Sequence, residues 1–174
     1  MTGARRSTYP RTVIQREYQD SVDWLAARVR ERFGSRLVAI VLYGSVARGA
    51  ARPESDVDLL LVMRELPSGP RNRRMLISDL LDSAEKTLQE TLPHASVSVV
   101  MKTPEEVGLG GPLFYDMTLP GEVELLYDPE ALMKGFLGDL RARMAALGSR
   151  RLSYHGHPYW DLKPDWKPGD VIDL

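Results

Sequence analysis

Two apolar runs, residues 38–43 and 59–63, leave this chain few folds to choose from. Each is short and almost continuously apolar, as expected for a strand buried on both faces of a sheet. Gly44-Ser45 ends the first run, residues 45–48 can begin a helix, and Asp56-Val57-Asp58 opens the second run. Side chains alternate faces along a strand, so Asp56 and Asp58 point the same way while Val57 points into the core. A glycine after a strand is usually just a turn, and an Asp-x-Asp pair is usually a solvated strand edge. The run that follows Asp58 argues against an edge, because a strand wet on one face alternates polar residues.

Two carboxylates on one face at the start of a buried strand repel, and the arrangement is stable only with a cation between them or with one proton shared. Hard oxygen ligands in this number suit Mg²⁺, which keeps several waters and takes its remaining ligands from substrate phosphates. The Gly44-Ser45 turn supplies a phosphate side. Glycine lets the backbone approach closely, and the start of the helix offers N–H donors. Ser45 adds a hydroxyl, and Arg48 one turn on can reach a phosphate oxygen.

Gly-Ser, a spacer and Asp-x-Asp between two strands resembles the signature of the DNA polymerase β-type nucleotidyltransferases. The fuller string, with Gly44, Ser45, Ala47, Arg48, Gly49, Ser55, Asp56 and Asp58 in place, resembles the minimal nucleotidyltransferases of prokaryotes, small proteins often encoded beside a partner called HEPN. The resemblance implies an α+β fold like the polymerase β palm: a twisted mixed sheet of roughly four strands with packed helices. It implies transfer of a nucleoside monophosphate, most readily AMP from ATP, to an acceptor hydroxyl with release of pyrophosphate. Asp56 and Asp58 would hold Mg²⁺ and act in catalysis, Gly44 and Ser45 would bind the β/γ-phosphates, and Arg48 is a further candidate for that role. In the family resembled, the acceptor can be a tyrosine on the HEPN partner, which makes the transferase an antitoxin.

One strand departs from that pattern. Active members usually carry a third acidic residue on the strand expected over residues 96–101, where this chain has Ser96 and Ser98. A neutral hydroxyl is a poor Mg²⁺ ligand beside a carboxylate. Glu105 or Glu106 offers a substitute, but Thr103-Pro104-Glu105-Glu106 reads better as a capping box. Two other functions follow: a degenerate protein that binds nucleotide and a partner without transfer, and a transferase acting on a small molecule such as an aminoglycoside.

The rest of the chain reads as one domain over residues 13–148, preceded by a loose arm over 1–12 and followed by a Pro/aromatic extended tail over 149–174. Ile14, Tyr18, Val22, Leu25, Val29 and Phe33 form a helical stripe that Gly34 stops. A loop at residues 67–72 ends in a basic cluster, Arg71, Arg73 and Arg74, before a second amphipathic helix that Pro93 ends. A last strand is expected over 122–127, with Glu124 an edge acid, and a last helix with Asp128 as cap and Pro129 at its first position. His155 and His157 make a weak metal pair with no third ligand nearby, and the tail aromatics Tyr154, Tyr159, Trp160 and Trp166 should dock, on the protein's own surface or along a partner chain.

A net charge of −1 over 174 residues provides no global field to recruit nucleic acid. The absence of cysteine excludes disulfides and thiolate metal sites and suits a reducing cytoplasm. No apolar run approaches the ~18 residues that span a bilayer.

Overall fold

Both central strands bury side chains on both faces, and the sheet is built around them. The computed structural model describes residues 16–172 and Leu174; the expected arm over 1–12 and Ile14 lie outside the described residues. In chain order the elements are α1 (Arg16–Phe33), β1 (Leu37–Tyr43), α2 (Gly44–Ala47), β2 (Val57–Met63), α3 (Pro70–Met75), α4 (Ser78–Gln89) and β3 (Val97–Lys102). There follow α5 (Pro104–Gly108), α6 (Pro112–Met117), β4 (Val123–Tyr127), α7 (Leu132–Ala146), β5 (Arg150–Tyr154) and β6 (His157–Asp161).

The main sheet has four strands in the order β3-β2-β1-β4. β2 and β3 run parallel, while β1 pairs antiparallel with β2 and with β4. This is the α+β architecture with a mixed sheet that the strand pattern and the resemblance imply. Alternation divides the core in two. Ile40, Leu42, Val57, Leu59 and Leu61 face α1 and α4, whereas Val41, Leu60 and Val62 face the side of α5, α6 and α7. Each fully buried leucine contributes about 1.5–3 kcal/mol by leaving water. The two central strands are therefore held from above and below.

Several local expectations shift. The loop expected over residues 67–72 already contains the start of α3, because Pro70 sits in its first turn, where a missing N–H costs nothing. The last helix begins at Leu132 rather than at Pro129. A turn closed by Ala131 N–H to the Asp128 carbonyl (3.1 Å) intervenes. From there Asp128 still caps, accepting from Met133 N–H at 3.2 Å and Lys134 N–H at 2.9 Å. Strict alternation along the strand would put Tyr127 on the face of Val123 and Leu125; a register shift opposite Ile40 and Val41 turns it to the α1 side.

Within the tail two extended strands pair with each other. Residues 150–161 form an antiparallel hairpin in which Leu152 opposes Tyr159 and Arg151 opposes Trp160. His155 and Gly156 both take positive φ (49° and 82°), the two-residue loop that matches strand twist. The hairpin docks on its own domain: Trp160 Nε1 donates to Asp116 at 2.8 Å, and Arg151 pairs with the same carboxylate at 3.0 Å. His155 thus serves the turn and His157 opens β6 opposite Tyr154, while Tyr154 and Trp166 remain exposed.

The expected capping box is present. Glu106 N–H donates to Thr103 Oγ1 at 3.3 Å, and Thr103 N–H donates to Glu106 at 3.0 Å. Arg73 completes it with a two-pronged pair to Glu106, both contacts 2.7 Å, which holds the Glu106 carboxyl down at about 2. One member of the basic cluster is thereby committed to the fold. We predict that Glu106→Gln destabilises the protein by about 1 kcal/mol at neutral pH, after allowance for solvent screening. A depressed carboxyl contributes stability above its unfolded value of 4.5 and loses it as pH falls toward 2, so the difference from wild type should vanish across that window in denaturant titrations.

Candidate active site

Four strand ends meet at one edge of the sheet. In register, Ser98 lies beside Asp58, Asp58 beside Tyr43, and Tyr43 beside Val123. Chain direction reverses at Gly44, which takes φ +76° and begins the one-turn helix α2. The positive φ favours glycine, and a Cβ there would push the Asp58 carboxylate aside. The first amides of α2 have no intrahelical acceptor and border the same space. The structure therefore brings Gly44, Ser45, Arg48, Asp56 and Asp58 to one edge.

The loop before β2 is tied from two sides. Ser55 Oγ accepts from Arg52 N–H at 2.9 Å, and Tyr18 of α1 donates its hydroxyl to the Arg52 carbonyl at 2.6 Å. Val57, fully buried, then anchors the strand and leaves Asp56 and Asp58 on the opposite face. Their surroundings differ. Asp56 is exposed and accepts from Ser96 Oγ at 2.8 Å. Asp58 is half-buried; burial first and the charge of Asp56 second push its carboxyl upward, against a hydrogen bond from Ser98 and the charge of Arg48. Burial also pushes the Tyr43 hydroxyl up to about 12, helped by Asp58, so it stays protonated.

Ser96 and Ser98 spend their hydroxyls on the two carboxylates. Among the described residues no three His, Cys, Asp or Glu side chains gather as a metal cluster. Asp56 and Asp58, mutually repelling and held against a glycine cradle, fit a hard divalent cation that completes its shell from water and phosphate. Glu124 does not join them: it opposes Leu42 on the α1 face. Arg48 Nη1 pairs with Glu122 Oε2 at 3.0 Å. Of the basic cluster, Arg73 is bound to Glu106, and with Arg74 it lines a cavity of about 360 Å³ between α3 and β3 that neither aspartate reaches.

Sequence reasoning did not single out Tyr43 or Glu122. Tyr43 carried a signal, its place directly before the glycine turn. Glu122 carried none, since its partner is 74 residues away.

Comparison with known proteins bears on this geometry. The model of the nucleotidyltransferase domain matches residues 22–109, half of the chain. The chain belongs to the nucleotidyltransferase family. That span contains the glycine turn, both aspartates and both serines, and ends before Glu122. This nucleotidyltransferase is 37% identical over 154 residues to a putative protein adenylyltransferase of Methanocaldococcus jannaschii, an alignment covering 87% of this chain and 94% of that one. It is 48% identical over 40 residues to a protein adenylyltransferase of Thermococcus cleftensis, 23% of this chain and 38% of the other. Among solved structures, a toxin-antitoxin complex with AMP-PNP overlaps 77% of this chain and 94% of its own at TM-score 0.40 and 14% identity. A spectinomycin adenyltransferase of Enterococcus overlaps 75% of this chain and 66% of its own at TM-score 0.46 and 15% identity.

Gly44→Ala should lower stability by about 1–3 kcal/mol, the strain of a side chain forced into a left-handed, crowded position. Because the crowding partner is Asp58, the double variant with Asp58→Ala should lose less than the sum of the single losses in a thermodynamic cycle.

Proposed function

We propose that this nucleotidyltransferase moves AMP from ATP to a hydroxyl on a protein partner, a tyrosine of a HEPN-type toxin, and so acts as an antitoxin in the cytoplasm. The observation that carries the reading is the packing of Asp58 against the Gly44 turn with Asp56 beside it: a dicarboxylate at the start of α2. The name of the Methanocaldococcus relative supports a protein acceptor, and no helix among the described residues is long and apolar enough to cross a membrane.

Asp56 and Asp58 would hold Mg²⁺, and Gly44, Ser45 and Arg48 would receive the β/γ-phosphates. When bound, the ion offsets triphosphate charge as pyrophosphate departs. The acceptor oxygen bonds to the α-phosphorus, the bond to the β-phosphate oxygen breaks with its electron pair going to pyrophosphate, and the hydroxyl proton is released. This chain contributes position and charge to that exchange: the close Gly44 backbone admits the phosphates, and the serine hydroxyls fix both carboxylates.

Ser98 opposite Asp58 favours a second reading, in which the protein binds ATP and its partner without transfer. A third carboxylate at that position would help activate the acceptor, whereas binding of the triphosphate does not depend on it. Incubation with Mg²⁺ and ATP labelled at the α-phosphate, with and without the neighbouring gene's product, separates the two. Transfer predicts label on protein, reduced roughly 100-fold or more in Asp58→Ala. No label from wild type together with Mg²⁺-dependent ATP binding supports the second reading, and Ser98→Asp should then gain transfer.

A further inference from the structure

We propose that Glu122 is a positioning residue for nucleotide binding: it holds the Arg48 guanidinium at the mouth of the site before ATP arrives. The inference rests on the nucleotide-binding reading above and extends it to a residue on β4's approach, beyond the matched family span.

The geometry is asymmetric in a way that distinguishes an anchor from a movable group. The Glu122 side chain is 16% exposed and that of Arg48 is 41% exposed. Glu122 is fixed by its backbone: its N–H donates to the Leu119 carbonyl at 3.3 Å, and Val123 next to it is buried in register with Tyr43. Arg48 by contrast leaves the end of α2 as a long side chain with several rotatable bonds. Without a partner it would sample many positions, and binding would have to order it.

The ion pair engages one nitrogen of Arg48, Nη1 on Glu122 Oε2, so the other guanidinium donors stay available to a phosphate. Arg48 also lies close enough to Asp58 for its charge to act on that carboxylate. The guanidinium is therefore within reach of two acids, the anchored Glu122 just before β4 and Asp58 of β2. Glu122 pairs with Arg48 and sits across β1 from Asp56 and Asp58, which assigns it to Arg48 rather than to the ion. A half-exposed pair of this kind contributes little to stability. Its consequence is where the charge is kept.

Calorimetric titration of Mg²⁺ and ATP into wild type, Glu122→Gln, Glu122→Asp, Arg48→Ala and the Arg48→Ala/Glu122→Gln double variant tests this. Glu122→Gln should weaken ATP binding roughly 3- to 10-fold with an unchanged melting temperature, as expected when an ordered side chain is released. Glu122→Asp, which keeps the charge, should recover part of that loss. In the Arg48→Ala background Glu122→Gln should weaken binding no further, whereas a merely structural Glu122 would add its own loss. Unchanged binding in Glu122→Gln, or losses that multiply in the double variant, overturns the assignment while leaving the nucleotide site standing. No ATP binding by wild type overturns both.

Discussion

The contact on which the site depends is the approach of the Asp58 carboxylate to the backbone of Gly44. It joins the end of β1 to the start of β2 with no room for a side chain between them. Three things follow from it. The turn favours glycine with positive φ, the start of α2 lies beside a carboxylate, and that carboxylate is partly withdrawn from water. Withdrawal raises the free energy of the charged form, and the neighbouring Asp56 raises it further. The rest of the molecule supports this arrangement: buried side chains on both faces of β1 and β2 keep the strand ends in register, and Tyr18 with Ser55 fixes the loop that delivers Asp56.

The serines of β3 are best understood in the same terms. A carboxylate opposite Asp58 would add a third negative charge to a crowded site, tolerable only with cations present. Hydroxyls in that position do the reverse, donating to Asp56 and Asp58 and lowering the repulsion. The hydroxyls thereby help hold both carboxylates in place and add no charge to that edge.

Much of the fold was legible locally. Continuous apolar runs for β1 and β2, the stripe of α1 and the Thr103–Glu106 capping box all arise from contacts within a few residues, so periodicity and spacing report them. The misses share a cause. The hairpin of residues 150–161 lacks helical period, and its one local signal was a His-Gly pair suited to a two-residue turn. The start of α7 moved because Pro129 serves a turn as well as it serves a helix. Tyr127 changed face because a register shift between strands leaves no trace in one strand's own alternation.

What the sequence alone determined is the chemistry and its immediate setting: glycine turn, paired aspartates on one face, buried strands on either side, and membership of the pattern that joins them. These depend on backbone geometry over about twenty residues, where residue type and spacing suffice. Tertiary structure decided which groups surround that chemistry. Ser96 reaches Asp56 across 40 residues, Arg73 reaches Glu106 across 33, and Arg48 reaches Glu122 across 74. Such partners are chosen by strand order and register, which emerge only when both faces of the sheet are packed at once.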